Sequence, residues 1–412
     1  MITRLSRTIG HAFLRRIRSG SLTVVESGEP FTFGAGDPAA ILYVRSPGAW
    51  RKLLRGSNGL AEAYAQGLWD SPDPTAVVRV AAANAPALDR MRRRFALLLA
   101  PIQRVRALMS RNTRSRSRRD IAAHYDLGNE LFELMLDPTM SYSCALFERP
   151  NMSLEEASFA KLEHVCRKLD LGPDDHLLEI GSGWGALALH AAAVHGARVT
   201  TTTISREQHA YTSEQVRRAG LEDRVDVLLE DYRDLRGSYD KLVSIEMIEA
   251  VGWRHFGTFF ARCSELLAPG GTMLLQAITI DDEAYDVEKA SKSFINTYIF
   301  PNGCLPSLRV IERRVKQRTD MTVAHLEDIT DHYVHTLRRW RTNFERNAHR
   351  LAALGYDERF RRIWTLYLAY CEAGFAERRI RDVQVVLAKP GRFAKATHPV
   401  ARQTLIDADL AA

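Results

Sequence analysis

The sequence predicts an α/β protein whose main body is a doubly wound, mainly parallel Rossmann-like sheet, preceded by a small α+β N-terminal domain. Three observations carry this. From His176 onward short apolar runs alternate with amphipathic stretches, the texture of repeated β-α units. The first of those runs ends in a turn with glycine at 181, 183 and 185. Before residue 90 the pattern differs, with short alternating runs followed by a helical stretch.

The elements follow in order. Ile2, Leu5, Ile9, Phe13 and Ile17 recur at helical spacing with Arg4, Arg7, Arg15 and Arg16 among them, a basic amphipathic helix. It suits a lipid interface and equally a helix packed on its own domain. "SLTVVE", "FTF" and "AILYVRS" read as strands, with "SGEP" as a turn, and 48–84 reads as helical. Residues 88–119 hold eleven arginines, at 90, 92, 93, 94, 104, 106, 111, 114, 116, 118 and 119, and read as a basic helix and linker. In the main body "HLLEI", "RVTTTTI", "VDVLLED", "YDKLVSIEMI" and "TMLLQAITI" are strands, separated by the helices "ALALHAAAVHG", "SREQHAYTSEQVRRAG" and "FGTFFARCSELLAPGG". Residues 340–380 read as helix and "DVQVVLAK" as a late strand. The expected division is 1–90 as an accessory, lipid-binding domain, 91–119 as the arginine-rich connector, 120–395 as the catalytic domain and 396–412 as a tail.

Composition bounds the function classes. The chain has 412 residues, 46% hydrophobic and 26% charged, as in an ordinary globular protein of more than one domain. A net charge of +7 favours a polyanionic partner: nucleic acid, anionic lipid or a phosphorylated substrate. The five cysteines are scattered without C-x-x-C spacing, which speaks against a disulfide framework or a metal site and fits a reducing cytoplasm. No transmembrane run is read, so the protein is expected to be cytoplasmic and peripheral to the inner face of the membrane. The arginine-rich stretch lacks the interleaved aromatics of single-strand binders, so nucleic acid is not the expected partner.

In open parallel sheets ligands sit beyond the carboxyl ends of the strands. Glu179, Gly181, Ser182, Gly183, Trp184 and Gly185 form E-x-G-x-G-x-G there, unlike the G-x-G-x-x-G of dinucleotide binders. Exposed loop amides would meet a carboxylate. The second strand ends not in an acid for ribose hydroxyls but in Thr203, Ile204, Ser205 and, further on, Gln208; Asp231 and Tyr232 follow the third and suit an adenine. Together these indicate S-adenosyl-L-methionine and the class I fold of methyltransferases that use it.

The segments "IAAHYDLGNELFELMLDPTMSYSCALFE" (121–148), "LLEIGSGWGALALHAA" (177–192), "TTTISREQ" (201–208), "SIEMIEAVG" (244–252) and "YIFPNGCLPSL" (298–308) resemble the cyclopropane-fatty-acyl-phospholipid synthases and their relatives acting on mycolic acids. The resemblance covers roughly residues 115–390. It implies transfer of a methylene from S-adenosylmethionine to a cis double bond of an unsaturated phospholipid acyl chain at the membrane surface. It adds Tyr142 and Ser143 to the cofactor contacts. It implies a bicarbonate ion as base, held by Glu249, Tyr333 and backbone groups of Cys144 and Ile278, with His124 also in the site. Tyr142 and Phe147 would stabilise a cation on the chain.

Two departures stand out. The family's G-M-F-E-H-V-G is Glu246-Met247-Ile248-Glu249-Ala250-Val251-Gly252 here, and a usual histidine is Gln276, which donates a hydrogen bond but carries no charge. Two other outcomes stay open: a methylene- or methyl-branched product from the same cation, and an RNA-binding methyltransferase. A homodimer is also open. Taken one by one, Cys144, Glu249, Tyr333 and His124 suit ordinary structural roles, and only the joint motif gives them chemistry.

Overall fold

The structure is a computed structural model that describes residues 2–86, 127–289, 292–301 and 303–391. The arginine-rich stretch and His124 therefore lie outside the described residues.

Among the described residues the main sheet has seven strands in the order β10-β11-β9-β8-β5-β6-β7. These are β5 (His176–Ile180), β6 (Arg198–Thr203), β7 (Val225–Leu229), β8 (Tyr239–Ile245), β9 (Leu267–Ile280), β10 (Thr322–Asp328) and β11 (Ile380–Ala388). β5 to β9 pair in parallel, and β11 runs antiparallel to both β9 and β10. The doubly wound, class I methyltransferase sheet expected from the sequence is present. The physical cause is plain in β5, where Leu177, Leu178 and Ile180 are almost wholly buried, as a strand covered on both faces requires. β10 was missed in the sequence because its side chains alternate poorly: only short, partly exposed positions mark it as an edge strand.

The helices start where local chemistry permits. Ser153 and Glu156 form a reciprocal capping box for Leu154–Lys168, and Ser205 caps Arg206–Ala219 through the Gln208 amide. Gly185, at φ 92°, admits the left-handed turn that opens Ala186–His195. The run 340–380 resolves into Thr330–Arg346, Ala348–Ala353 and Glu358–Ala376.

The N-terminal region forms a second sheet, β2-β1-β3-β4, from Gly20–Glu26 (β1), Glu29–Ala35 (β2), Ala39–Val44 (β3) and Trp69–Asp70 (β4). The stretch 48–84 is not one helical run: Ala49–Leu53 and Gly56–Ala65 are followed by β4 and a further helix over 74–86. Trp69 has no exposed surface, and its indole N–H donates to the Leu60 carbonyl. Burying a side chain of that kind contributes about 2–3 kcal/mol. Arg362 of helix Glu358–Ala376 stacks 4.1 Å from the Tyr64 ring and donates to the Tyr64 carbonyl at 2.6 Å. The small sheet is thereby pinned over the helical side of the main body.

Candidate active site

A cavity of about 1850 Å³ opens beyond the carboxyl ends of β5, β6 and β8 and continues under the N-terminal sheet. Phe13, Leu14, Leu22, Val24, Leu42 and Trp50 line its outer, apolar reach, and Glu179, Glu246 and Glu249 its inner end.

At the glycine turn Gly181, Gly183 and Gly185 have φ of 101°, 51° and 92°, which explains glycine at all three. The loop amides are not all free for a ligand. Those of Gly181 and Ser182 both donate to the Thr202 carbonyl at 3.0 Å, and that of Gly185 donates to the Ser182 carbonyl. Trp184 donates to Asn129 Oδ1 at 2.9 Å and packs 4.7 Å from Phe132, tying helix Asn129–Met135 to the turn. Glu179 accepts from Thr201 Oγ1 at 2.6 Å, and burial pushes its carboxyl up to about 7.

Of the residues expected at the cofactor, Tyr142, Ser143, Glu179, Gly181, Ser182, Gly183, Trp184, Thr203, Ile204, Gln208, Asp231 and Tyr232 line the cavity. Gly185 and Ser205 shape it without lining it; Ser205 is spent as a helix cap. Thr203 donates to Gln208 Oε1 at 2.8 Å, closing a small network at that cap. Asp231 accepts from Nε and Nη2 of Arg233, at 2.8 and 2.6 Å, so its carboxylate is engaged by a cation. Tyr232 rests edge-on against Phe259.

Tyr142 lies 5.1 Å from Trp340, and its hydroxyl shares a 2.7 Å hydrogen bond with Tyr367. Tyr333 stacks on Phe375 at 4.4 Å. Both tyrosines line the cavity, and aromatic rings attract a cation. Phe147 is not among the lining residues; it packs beside His335 and donates its amide to His332 Nδ1.

The inner end is a cluster of buried acids. Glu246 accepts from the Cys144 amide at 2.8 Å, from Gln276 Nε2 at 2.8 Å and from the Tyr333 hydroxyl at 2.5 Å. Glu249 Oε1 accepts from the Ile278 amide at 2.6 Å, while its Oε2 is buried without a partner. Asp382 Oδ2 accepts from Gln276 Nε2 at 2.9 Å. Burial, reinforced by the neighbouring Glu246, pushes Glu249 up to about 8 and Asp382 well above the usual carboxylate range. Burial also raises Glu246, against the opposing pull of its three donors and Lys161. The Cys144 thiol is fully buried and pushed well up, so it is no nucleophile and its contribution is the amide.

Cys144, Glu249, Ile278 and Tyr333, expected around a bicarbonate ion, lie near one another with Gln276 beside them, but the Cys144, Gln276 and Tyr333 donors are taken by Glu246 and the Ile278 amide by Glu249, which does not fit a bicarbonate ion in addition. Sequence reasoning missed Glu246, Asp382 and Lys161. Lys161 donates to Ser143 Oγ at 3.0 Å, and burial lowers its ammonium. A signal existed: Leu154, Ala157, Ser158, Lys161, Leu162 and Val165 share one buried helix face, so the lysine had to point inward. Asp382 had none, because its neighbours come from other strands. Away from the cavity, Cys166, His190 and His195 place possible ligand atoms within 4.8 Å of one another, and Glu163 accepts from both imidazoles.

The sequence model of the family described as mycolic acid cyclopropane synthetase matches residues 112–385. The chain is 38% identical over 398 residues to the tuberculostearic acid methyltransferase UfaA1 of Mycobacterium tuberculosis, covering 94% of this chain and 90% of that one. It is 37% identical over 357 residues to the cyclopropane-fatty-acyl-phospholipid synthase of Escherichia coli, covering 86% and 89%. Among solved structures, the cyclopropane synthase MmaA2 from Mycobacterium tuberculosis superposes with a TM-score of 0.62 at 32% identity, over 66% of this chain and 98% of its own. The mycolic acid cyclopropane synthase CmaA1 complexed with SAH and CTAB gives 0.62 at 31%, with the same coverage.

Proposed function

This chain belongs to the mycolic acid cyclopropane synthetase family, and from that membership we propose that it adds a methylene to a cis double bond of an unsaturated phospholipid acyl chain, closing a cyclopropane ring. It is an S-adenosylmethionine-dependent lipid methyltransferase. The observation that carries the finer reading is one continuous cavity in which an apolar channel ends on aromatic and acidic groups.

Tyr142, Ser143, the 181–184 turn, Thr203, Ile204, Gln208 and Tyr232 would hold the cofactor, which supplies a sulfonium-bound methyl. An alkene is a weak nucleophile, so the walls must align it with that methyl; such positioning is worth on the order of 7–11 kcal/mol in favourable cases. The apolar outer reach excludes water from the cation that follows. Tyr142 and Tyr333 offer it their rings. The N-terminal region, proposed as an accessory domain over 1–90, completes the channel through Leu22, Val24 and Leu42.

Access from a membrane is supported by helix Ile2–Leu14. Leu5, Ile9 and Phe13 form one apolar row and are 62%, 47% and 46% exposed. That row favours the lipid-interface reading over a helix whose apolar face is packed inward. Among the described residues no helix is long and apolar enough to cross a membrane. Peripheral attachment to the inner membrane face is the location we propose.

The test is incubation of the purified protein with S-adenosylmethionine and vesicles of cis-unsaturated phospholipid. Mass spectrometry should show acyl chains heavier by one CH₂ with the double bond lost, and proton NMR should show ring protons far upfield. No added CH₂ across varied lipids overturns the reading. A second reading, a methylene- or methyl-branched product, is favoured by the likeness to the tuberculostearic acid methyltransferase, which spans more of the chain, 94% against 86%, at 38% against 37% identity. Signals in the alkene region or a new methyl doublet would select it.

A further inference from the structure

We propose that Glu246 is the resident general base of this enzyme, its carboxylate standing where the family resemblance puts a bicarbonate ion. The inference rests on the lipid-alkylating reading above and is independent of which product forms.

Geometry carries it. The Cys144 amide, the Tyr333 hydroxyl and the Gln276 amide converge on one carboxylate, and that carboxylate lines the cavity. A carboxylate has about four lone-pair sites. Oε1 spends two on Cys144 and Gln276, and Oε2 spends one on Tyr333. The fourth, which the Asp382 carboxyl also approaches, is the one that takes a proton. Neither neighbouring acid is equipped for this. Glu249 has one oxygen on the Ile278 amide and the other without a partner, the environment of a neutral acid. Asp382 is fully buried, meets Gln276 and the Glu246 carboxyl through its side chain and leaves Oδ1 without a partner. Like charges this close disfavour a second ionised carboxylate, so the charge concentrates on the group with three donors.

The backbone supports the assignment independently. Glu246 has φ 49°, in the left-handed region that favours glycine, and glycine is what the resembled pattern carries there. Holding a glutamate in that conformation costs on the order of 1 kcal/mol. The turn directs its side chain from the end of β8 toward the Cys144 amide and the Tyr333 hydroxyl. Glutamate thus brings a side chain to a spot where glycine would leave a space.

The step balances as follows. The sulfonium C–S bond breaks as a C–C bond forms to one alkene carbon, leaving a cation on the other. A C–H bond of the added methyl then breaks and its electron pair closes the ring. The proton goes to Glu246 Oε2 and passes to water once product leaves. If a hydride shift precedes it, the same electron pair makes an exocyclic double bond and the proton has the same destination.

The experiment compares wild type, Glu246→Gln and Glu246→Gly. Wild type should turn over equally in CO₂-free buffer and with millimolar bicarbonate. Both variants should lose about 10²–10⁴-fold in kcat, with calorimetric affinity for S-adenosylmethionine retained as proof of folding. Bicarbonate should rescue the glycine variant and not the near-isosteric glutamine one. By ¹³C NMR, labelled bicarbonate should broaden on adding the glycine variant and not wild type. A wild type that needs bicarbonate overturns the proposal, as does a glutamine variant that keeps its kcat, or a glycine variant that neither binds bicarbonate nor is rescued by it. If wild type alkylates no lipid in either buffer, the functional reading fails instead, and the NMR arm still decides who fills the cradle.

Discussion

Gln384 and Gln276 face each other across the antiparallel strands Ile380–Ala388 and Leu267–Ile280, and the Gln384 amide donates to Gln276 Oε1 at 3.0 Å. That contact orients the Gln276 side chain so that its two amide hydrogens serve Glu246 and Asp382. A neutral imidazole offers one donor and one acceptor and could not meet all three partners. Glutamine at 276 is therefore matched to a site that already contains Glu246.

Replacing Gln276 by leucine should leave Glu246, Asp382 and Gln384 each short of a buried hydrogen bond. The expected loss is about 1–3 kcal/mol of folding stability, read as a lower midpoint in urea. Histidine should restore part of it. An unchanged midpoint for leucine would mean that the network contributes nothing.

Tyr333→Phe removes the 2.5 Å donor that favours the ionised form of Glu246. The aromatic stack on Phe375 survives. Turnover at neutral pH should fall about tenfold or more. Because losing this donor raises the Glu246 pKa further, the acid limb of the kcat/KM profile should move to higher pH. A flat profile shift with the same loss of rate would show that the hydroxyl acts elsewhere.

Glu249 has a folded-state pKa near 8 against an ordinary value of 4.5, so the folded protein holds a proton that the unfolded chain has released over that interval. A raised carboxyl pKa contributes stability that is complete below the unfolded value and declines as pH rises toward 8. The slope is on the order of 1 kcal/mol per pH unit. Glu249→Gln keeps an acceptor for the Ile278 amide and removes this dependence. Its stability relative to wild type should grow steadily from about pH 5 to about pH 8 in denaturant titrations; a constant difference would contradict the protonated state.

Converting Leu5, Ile9 and Phe13 to serine should weaken binding to anionic vesicles without altering the melting temperature, since all three side chains are well exposed. Removing three partly buried apolar contacts with lipid corresponds to several kcal/mol at about 25 cal/mol per Å². Co-sedimentation with vesicles measures it. Loss of the fold, seen as a lower melting temperature, would instead mean that the row packs within the protein.

Much of this was legible in the chain itself. The alternation of apolar runs, the glycines at 181, 183 and 185 and the motif residues near 142 and 249 pointed to the sheet, the cofactor class and the proposed site, because these depend on local periodicity and on backbone angles that only glycine reaches readily. What the tertiary structure alone decided is which acid meets which donor. Glu246 and Glu249 lie three residues apart and look interchangeable in sequence, yet the left-handed turn at 246 sends one carboxylate to Cys144 and Tyr333 and leaves the other on Ile278. Those donors come from positions more than a hundred residues before and about ninety after, one in the stretch that precedes helix Leu154–Lys168 and the other on helix Thr330–Arg346. Periodicity fixes the face a residue shows to its own element; the partners on that face are set by how distant elements pack.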